Sequence, residues 1–224
     1  MTVNKTNATP KTRIFLVDDH PIVRRGFQLM ISLERDLQVC GEADNSSVAL
    51  EKIAALQPDV AIVDLTLKSS SGLDLIKQLR ALHSKLKILV FSMHDETFYA
   101  ERVLRSGAHG YLTKEEGTEK AIEAIRWLLQ GKKYFSQNVM SKIIGAGARP
   151  AADGASVERL SDRELEVLDL IGRGMGSRQI AERLHLSIKT IESHREHIKS
   201  KLNLTSATEL TKYAYNWLNG QDRA

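Results

Sequence analysis

Hydrophobic and polar positions change period part-way along the chain, and that change divides it. From Arg13 to about Gln130, short apolar runs alternate with amphipathic stretches. The runs lie at 14–17, 37–40, 60–63, 88–91 and, more weakly, 110–112. The amphipathic stretches lie at 23–33, 48–56, 73–82, 98–104 and 121–129. Unbroken apolar runs of strand length suit strands covered on both faces, so the pattern predicts five βα units around a parallel sheet. Such sheets gather their working residues at the carboxyl ends of the strands.

After residue 130 the pattern differs. Gly131, Lys132 and Lys133 stop the fifth helix, 139–144 reads as a short helical turn, and 146–154, with Gly147, Pro150 and Gly154, reads as a flexible linker. From Leu160 onward only helical periodicity remains, at 162–171, 177–184, 187–202 and 207–218. The predicted architecture is an α/β, five-stranded parallel, doubly wound domain at 12–131, a linker at 132–156, and an all-α four-helix domain at 157–221.

Composition narrows the class without choosing a function. The 224 residues suffice for two small cores, and 42% hydrophobic with 27% charged residues is ordinary soluble globular material. No apolar run approaches the roughly 20 residues needed to span a bilayer, so no membrane partner is expected. Residues 1–11 are polar, lack the apolar core of a signal peptide, and read as a frayed tail. The single cysteine, Cys40, cannot form an internal disulfide and reads as a small buried hydrophobe. A reducing, cytoplasmic setting fits. The net charge of +4 does not argue for nucleic acid, because residues 151–224 hold 11 basic and 11 acidic residues. The excess therefore lies entirely in residues 1–150, and any nucleic-acid reading must rest on a local face.

The strand ends carry the candidate chemistry. The first strand runs into Asp18 and Asp19, the third into Asp64, the fourth into Ser92, and the fifth is followed by Lys114. Parallel strands would bring these to one edge, where three carboxylates repel unless a cation joins them; hard oxygen ligands suit Mg²⁺. A carboxylate can accept a phosphoryl group, while a cation, an ammonium and a hydroxyl neutralise its oxygens. Taken singly, each residue is an ordinary cap, turn or solvated side chain; their order and phase together carry the signal.

In the helical half, Ser161 with Glu164 fits a capping box, and Gly172, Gly174 and Gly176 break the first helix before Ser177, a candidate cap for the next. Ser187 is a candidate cap for the third helix, whose Ile188, Ile191, Ile198 and Leu202 trace one stripe read as buried. Its opposite face offers Lys189, Glu192, Ser193, Glu196 and Lys199. A short helix, a tight turn and a longer helix make a helix-turn-helix, although by pattern alone this face reads as a solvated one ahead of a DNA-binding one. His194 and His197 have metal spacing but no third ligand. Trp127, Trp217 and Tyr213 read as packing residues.

The segments Val17-Asp18-Asp19-His20, Asp64-Leu65, Ile88 to Ser92 and Gly110-Tyr111-Leu112-Thr113-Lys114 resemble the receiver domain of bacterial response regulators. The segments Leu160 to Leu168, Gln179-Ile180-Ala181, Leu186 to Ile191 and Lys201-Leu202 resemble the LuxR-type DNA-binding domain, and the pair is similar to the NarL/FixJ class. The resemblance implies that a sensor histidine kinase phosphorylates Asp64. Asp18, Asp19, Asp64 and the Thr66 carbonyl would hold Mg²⁺, Ser92 and Lys114 would contact the phosphoryl group, and Tyr111 would be the aromatic switch. It also implies that Glu192, Ser193 and Glu196 face base edges, with Lys189, Thr190, Arg195 and Lys199 near the DNA backbone. Relatives often carry proline where Lys68 stands, and some carry lysine at Glu192 or Glu196, so the operator should differ from theirs.

The function implied is a phosphorylation-controlled transcription regulator rather than an enzyme. Phosphorylation would draw Ser92 inward, reposition Tyr111 and drive homodimerisation on duplex DNA, with RNA polymerase a further partner. Two alternatives stay open: an aspartyl-phosphate phosphatase, and a phosphorylated adaptor whose helical domain binds protein.

Overall fold

The computed structural model describes residues 10–67, 70–137, 139–141 and 157–219. Residues 1–9, Lys68, Ser69, Asn138, residues 142–156 (with most of the expected linker) and residues 220–224 lie outside that description. The chain divides into two compact units, Met1–Gly145 and Ala146–Ala224.

In the first unit, β1 (Thr12–Val17), β2 (Leu37–Ala43), β3 (Val60–Val63), β6 (Lys87–Ser92) and β7 (Gly110–Thr113) form a parallel sheet ordered β2-β1-β3-β6-β7. Residues of β3 are buried without exception, which is why its apolar run has no alternation. The helices are α1 (Pro21–Ser32), α2 (Ser46–Leu56), α3 (Gly72–Leu82), α4 (Glu96–Arg105) and α5 (Gly117–Leu129). Phe27 and Ile31 of α1 and Ala121, Ile125 and Leu128 of α5 close one core with Ile14, Ile62 and Leu89. Asn45 accepts from Val48 N (3.0 Å) and Asp95 from Thr97 N (2.7 Å), so α2 and α4 start on side-chain caps. Pro21 opens α1, where its missing N–H costs nothing.

Three features depart from the pattern. A two-stranded antiparallel ribbon, β4 (Thr66–Leu67) with β5 (Ser70–Ser71), follows the third strand and is too short to leave a periodic signal. The segment assigned to the linker begins as part of the fold: Tyr111 N donates to Tyr134 O (2.8 Å) and Tyr134 N to His109 O (3.0 Å), satisfying the edge of β7. Cys40 is only half-buried; β2 is an edge strand, covered less than β3. Trp127 packs edge-on against Tyr134 but keeps 43% of its surface exposed.

His109 beside this edge makes a pH prediction. Its Nδ1 accepts from Ile88 N (3.1 Å), and burial, with Lys87, Arg80 and Lys133 nearby, pushes its pKa from 6.5 to about 4. The unfolded chain therefore binds the proton first, and stability falls as pH drops from 6.5 towards 4. After allowance for partial solvent screening, the loss should be on the order of 1–2 kcal/mol. His109→Asn keeps an acceptor without a titrating ring, and urea titrations of this variant should show a correspondingly flatter pH dependence.

The second unit contains α6 (Asp162–Gly172), α7 (Ser177–Leu184), α8 (Ile188–Leu202) and α9 (Ala207–Leu218). Val167, Leu168, Ile180, Ile191, Ile198 and Leu210 meet in its core. Ser161 accepts from Glu164 N (3.3 Å) while Glu164 accepts from Ser161 N (2.7 Å), the reciprocal box expected for α6. The helix ends at Gly172, as the glycine run predicts, and a Cβ there would lie 2.6 Å from Ala214 O of α9. Gly176, not Ser177, is the N-cap of α7, with its N–H donated to Gln179 (2.9 Å). Ile188 is not in the buried stripe: it is the first residue of α8 and 50% exposed, beyond the reach of the core that holds Ile191.

Candidate functional site

Parallel pairing puts the ends of β1, β3, β6 and β7 at one edge. Asp18 N donates to Ala43 O (3.2 Å) and Asp64 N to Val17 O (2.9 Å), so each acidic residue is pinned by the neighbouring strand as it leaves its own. Thr113 caps a 3₁₀ turn at Lys114–Glu116, with Glu116 accepting from Thr113 N (3.0 Å), and this turn aims Lys114 back over the edge. The Lys114 ammonium donates to Asp18 (2.7 Å) and Asp64 (2.6 Å). Ser92 is fully buried, and its hydroxyl helps Lys114 to hold down the pKa of Asp64.

Asp64 is 3% exposed and Asp18 5% exposed. Burial raises the Asp64 pKa; the Lys114 ammonium opposes this and the Asp18 carboxylate adds to it. Burial alone would lower Lys114, but Asp64 and Asp18 outweigh it and hold the ammonium above its usual value. The pocket is thus a charge cluster in which one cation serves two buried carboxylates.

Asp18, Asp19, His20 and Asp64 offer ligand atoms within 4.8 Å of one another. Asp19 Oδ1 is buried without a hydrogen bond; His20 Nδ1 lies 2.7 Å away, but not aligned as a donor. An orphaned carboxylate oxygen beside two more carboxylates is a donor set that fits a small hard cation. Thr66 N approaches Asp64 Oδ1 at 3.3 Å, which keeps its backbone at the mouth of the cluster.

Sequence reasoning missed His94. Two residues beyond Ser92 and 5% exposed, it pairs through Nε2 with the Thr66 hydroxyl (3.0 Å), stacks on Tyr99 of α4 (4.4 Å between centroids), and accepts from the Tyr111 hydroxyl (2.8 Å) through its carbonyl. A histidine in a loop carries no periodic signal. Ser92 is already inside, so the outward start implied by its expected inward movement is not the state described, and Tyr111 is buried with it. Arg24, donating to the Asp18 carbonyl (2.6 Å), was also missed.

On α8, Lys189, Glu192, Ser193 and Glu196 are exposed along one face. Thr190 pairs its hydroxyl with that of Ser187 (2.8 Å), and Ser187 caps Thr190 N (3.0 Å). Arg195 and Lys199 are not free side chains: they are 14% and 18% exposed, against Glu192 (4.0 Å) and Glu196 (3.0 Å) respectively. Lys201 donates to Glu164 (2.6 Å), tying α8 to the start of α6. Among the described residues His194 and His197 join no group of three metal-ligating side chains.

Comparison with known proteins agrees with both halves. Residues 14–126 match the response regulator receiver domain, and residues 158–214 match the bacterial regulatory proteins of the luxR family. The chain is 36% identical over 208 residues to the oxygen regulatory protein NreC of Staphylococcus carnosus, covering 90% of this chain and 96% of that one. RcsB of Salmonella enterica serovar Typhimurium, solved bound to promoter P1flhDC with the phosphomimetic BeF3-, superposes with a TM-score of 0.62 at 28% identity, covering 91% of this chain and 98% of that one. A LuxR-family two-component response regulator from Aurantimonas sp. SI85-9A1 gives 0.56 at 31% identity, over 62% of this chain and 99% of that one.

Proposed function

Because the chain belongs to the response regulators, a receiver domain followed by a LuxR-type DNA-binding domain that regulates transcription, we propose that Asp64 is its phosphoacceptor and that phosphorylation there controls assembly on DNA. The observation that carries this reading is the Lys114 ammonium held between Asp18 and Asp64, beside the Ser92 hydroxyl. An Asp64 carboxylate oxygen attacks phosphorus on the phosphohistidine of a sensor kinase. The P–N bond breaks, the imidazole keeps the electron pair and takes up a proton, and the P–O bond forms. Lys114 and Ser92 then turn from the carboxylates to the new phosphoryl oxygens. Asp18, Asp19, Asp64 and the Thr66 carbonyl would hold Mg²⁺, whose charge offsets that of the incoming oxygens. The pocket works once per phosphoryl group received, as a switch rather than by turnover on a metabolite.

Movement of Ser92 and Lys114 reaches the surface through His94, because this residue joins Thr66, Tyr99 and Tyr111. Phosphorylation shifts the population of the inward Tyr111 state, and with it the face of α4 and β7, towards pairing with a second copy. Glu192, Ser193 and Glu196 of α8 read base edges, while Lys189, Thr190, Arg195 and Lys199 lie towards the phosphates. For Arg195 and Lys199 this requires release from their glutamate partners.

Light scattering of the full chain on duplex DNA, with a small phosphodonor and Mg²⁺, tests the switch. The expected result is a dimer that forms only after treatment, with one phosphoryl group per chain, and not at all in Asp64→Ala. Phosphoryl uptake persisting in Asp64→Ala would overturn the acceptor assignment. Failure to bind any DNA, at low as at high salt, would favour the protein-binding adaptor instead.

A further inference from the structure

Ile188 stands apart on the outward face of α8. Every other exposed residue of that helix is polar, whereas Ile188 exposes half its surface at the first helical position. Isolated exposed apolar side chains are ordinary, and the receiver has its own in Ile22, Leu29 and Leu82, so exposure alone decides nothing. Position does. In helix-turn-helix complexes the amino-terminal residues of the recognition helix meet base edges, and the apolar group that the major groove presents is the 5-methyl of thymine.

From this placement we infer that Ile188 is a specificity residue that reads a thymine methyl in each DNA half-site, an inference resting on α8 as the recognition helix. The backbone there is held by Ser187, whose hydroxyl accepts from Thr190 N (3.0 Å) and fixes the first turn. Glu192 lies one turn further on the same row, where its carboxylate accepts from a cytosine amino group. The two residues discriminate in complementary ways. An isoleucine against a cytosine amino group or a guanine carbonyl strips water from a polar edge without replacing its hydrogen bonds, which penalises the wrong base as well as favouring thymine.

The test uses a duplex selected by the full chain from random sequence, with each thymine replaced singly by deoxyuridine, and anisotropy titrations of the natural chain and Ile188→Ala. At one thymine per half-site, methyl removal should weaken the natural chain about fourfold, the equivalent of ~0.8 kcal/mol for one buried carbon. Ile188→Ala should bind the parent duplex more weakly by at least that factor, ignore the same deoxyuridine, and melt at an unchanged temperature. A deoxyuridine profile identical in the two proteins overturns the inference. Glu192→Gln, Ser193→Ala and Glu196→Gln are titrated on base-substituted duplexes alongside. If they alter base preference while Ile188→Ala does not, only the thymine assignment falls. If none alters it, α8 is not the recognition helix and the wider reading falls too.

Discussion

The Lys114→Met protein is expected to bind Mg²⁺ more tightly than the natural chain and yet to lose phosphorylation-driven dimerisation. Both effects come from one ammonium lying 2.7 Å from Asp18 and 2.6 Å from Asp64. A divalent cation entering among these carboxylates meets the repulsion of a resident positive charge; methionine fills similar space without it. Even ~1.4 kcal/mol of relieved repulsion is about tenfold in affinity, a modest fraction of what charges at this spacing exert in a partly buried site. Without Mg²⁺ the variant should melt well below the natural chain, because breaking a buried ion pair leaves carboxylate charge uncompensated. Added Mg²⁺ should restore much of that difference. The affinity gain should shrink as pH falls, since burial already raises the Asp64 pKa and the loss of Lys114 removes the opposing charge. Calorimetric Mg²⁺ titrations at two pH values, with light scattering on DNA after phosphodonor treatment, read both halves. Weaker cation binding by Lys114→Met would contradict the view that the ammonium and the cation compete for the same oxygens.

What the sequence disclosed and what it withheld follow from the range of the interactions. The five sheet strands and the helices were legible because each carries a continuous apolar run or one helical stripe, a pattern that repeats over several residues. Asp18, Asp64, Ser92 and Lys114 were legible as a group because parallel strands turn sequence phase into spatial coincidence. The β4–β5 ribbon was not, since two residues a side make no period. Nor was the docking of Tyr134 along β7, which depends on backbone hydrogen bonds between segments more than twenty residues apart. His94 escaped for a third reason: its part depends on contacts with Thr66, Tyr99 and Tyr111, three residues from different elements. Ile188 was misread because helical periodicity reports phase around an axis and not depth along it. The stripe through Ile191, Ile198 and Leu202 extrapolates to Ile188, but the core stops short of the helix start.

Two alanine substitutions for helical glycines should move receiver stability in opposite directions. In a helix, alanine is intrinsically favoured over glycine by about 1 kcal/mol. Gly26 lies within α1, and a Cβ added there has nothing within 4 Å. Gly26→Ala should therefore stabilise, by roughly 0.5–1 kcal/mol. Gly72 opens α3 directly beneath the acceptor loop and donates its N–H to Leu65 O at 2.8 Å. A Cβ at Gly72 would lie 2.2 Å from Asp64 O, 2.6 Å from Leu65 Cα and 2.9 Å from Leu65 O. All three are backbone atoms, so no side chain can rotate away; either α3 shifts or the Asp64 loop does. Overpacking of this kind should cost about 3 kcal/mol or more, outweighing the propensity gain. The same displacement moves the Asp64 carboxylate away from Lys114 and Ser92, so phosphoryl uptake should fall along with the urea midpoint. Gly26→Ala should leave uptake unchanged. If Gly72→Ala proved as stable as Gly26→Ala, the close approach of α3 to the Asp64 backbone would not be what keeps the acceptor in place.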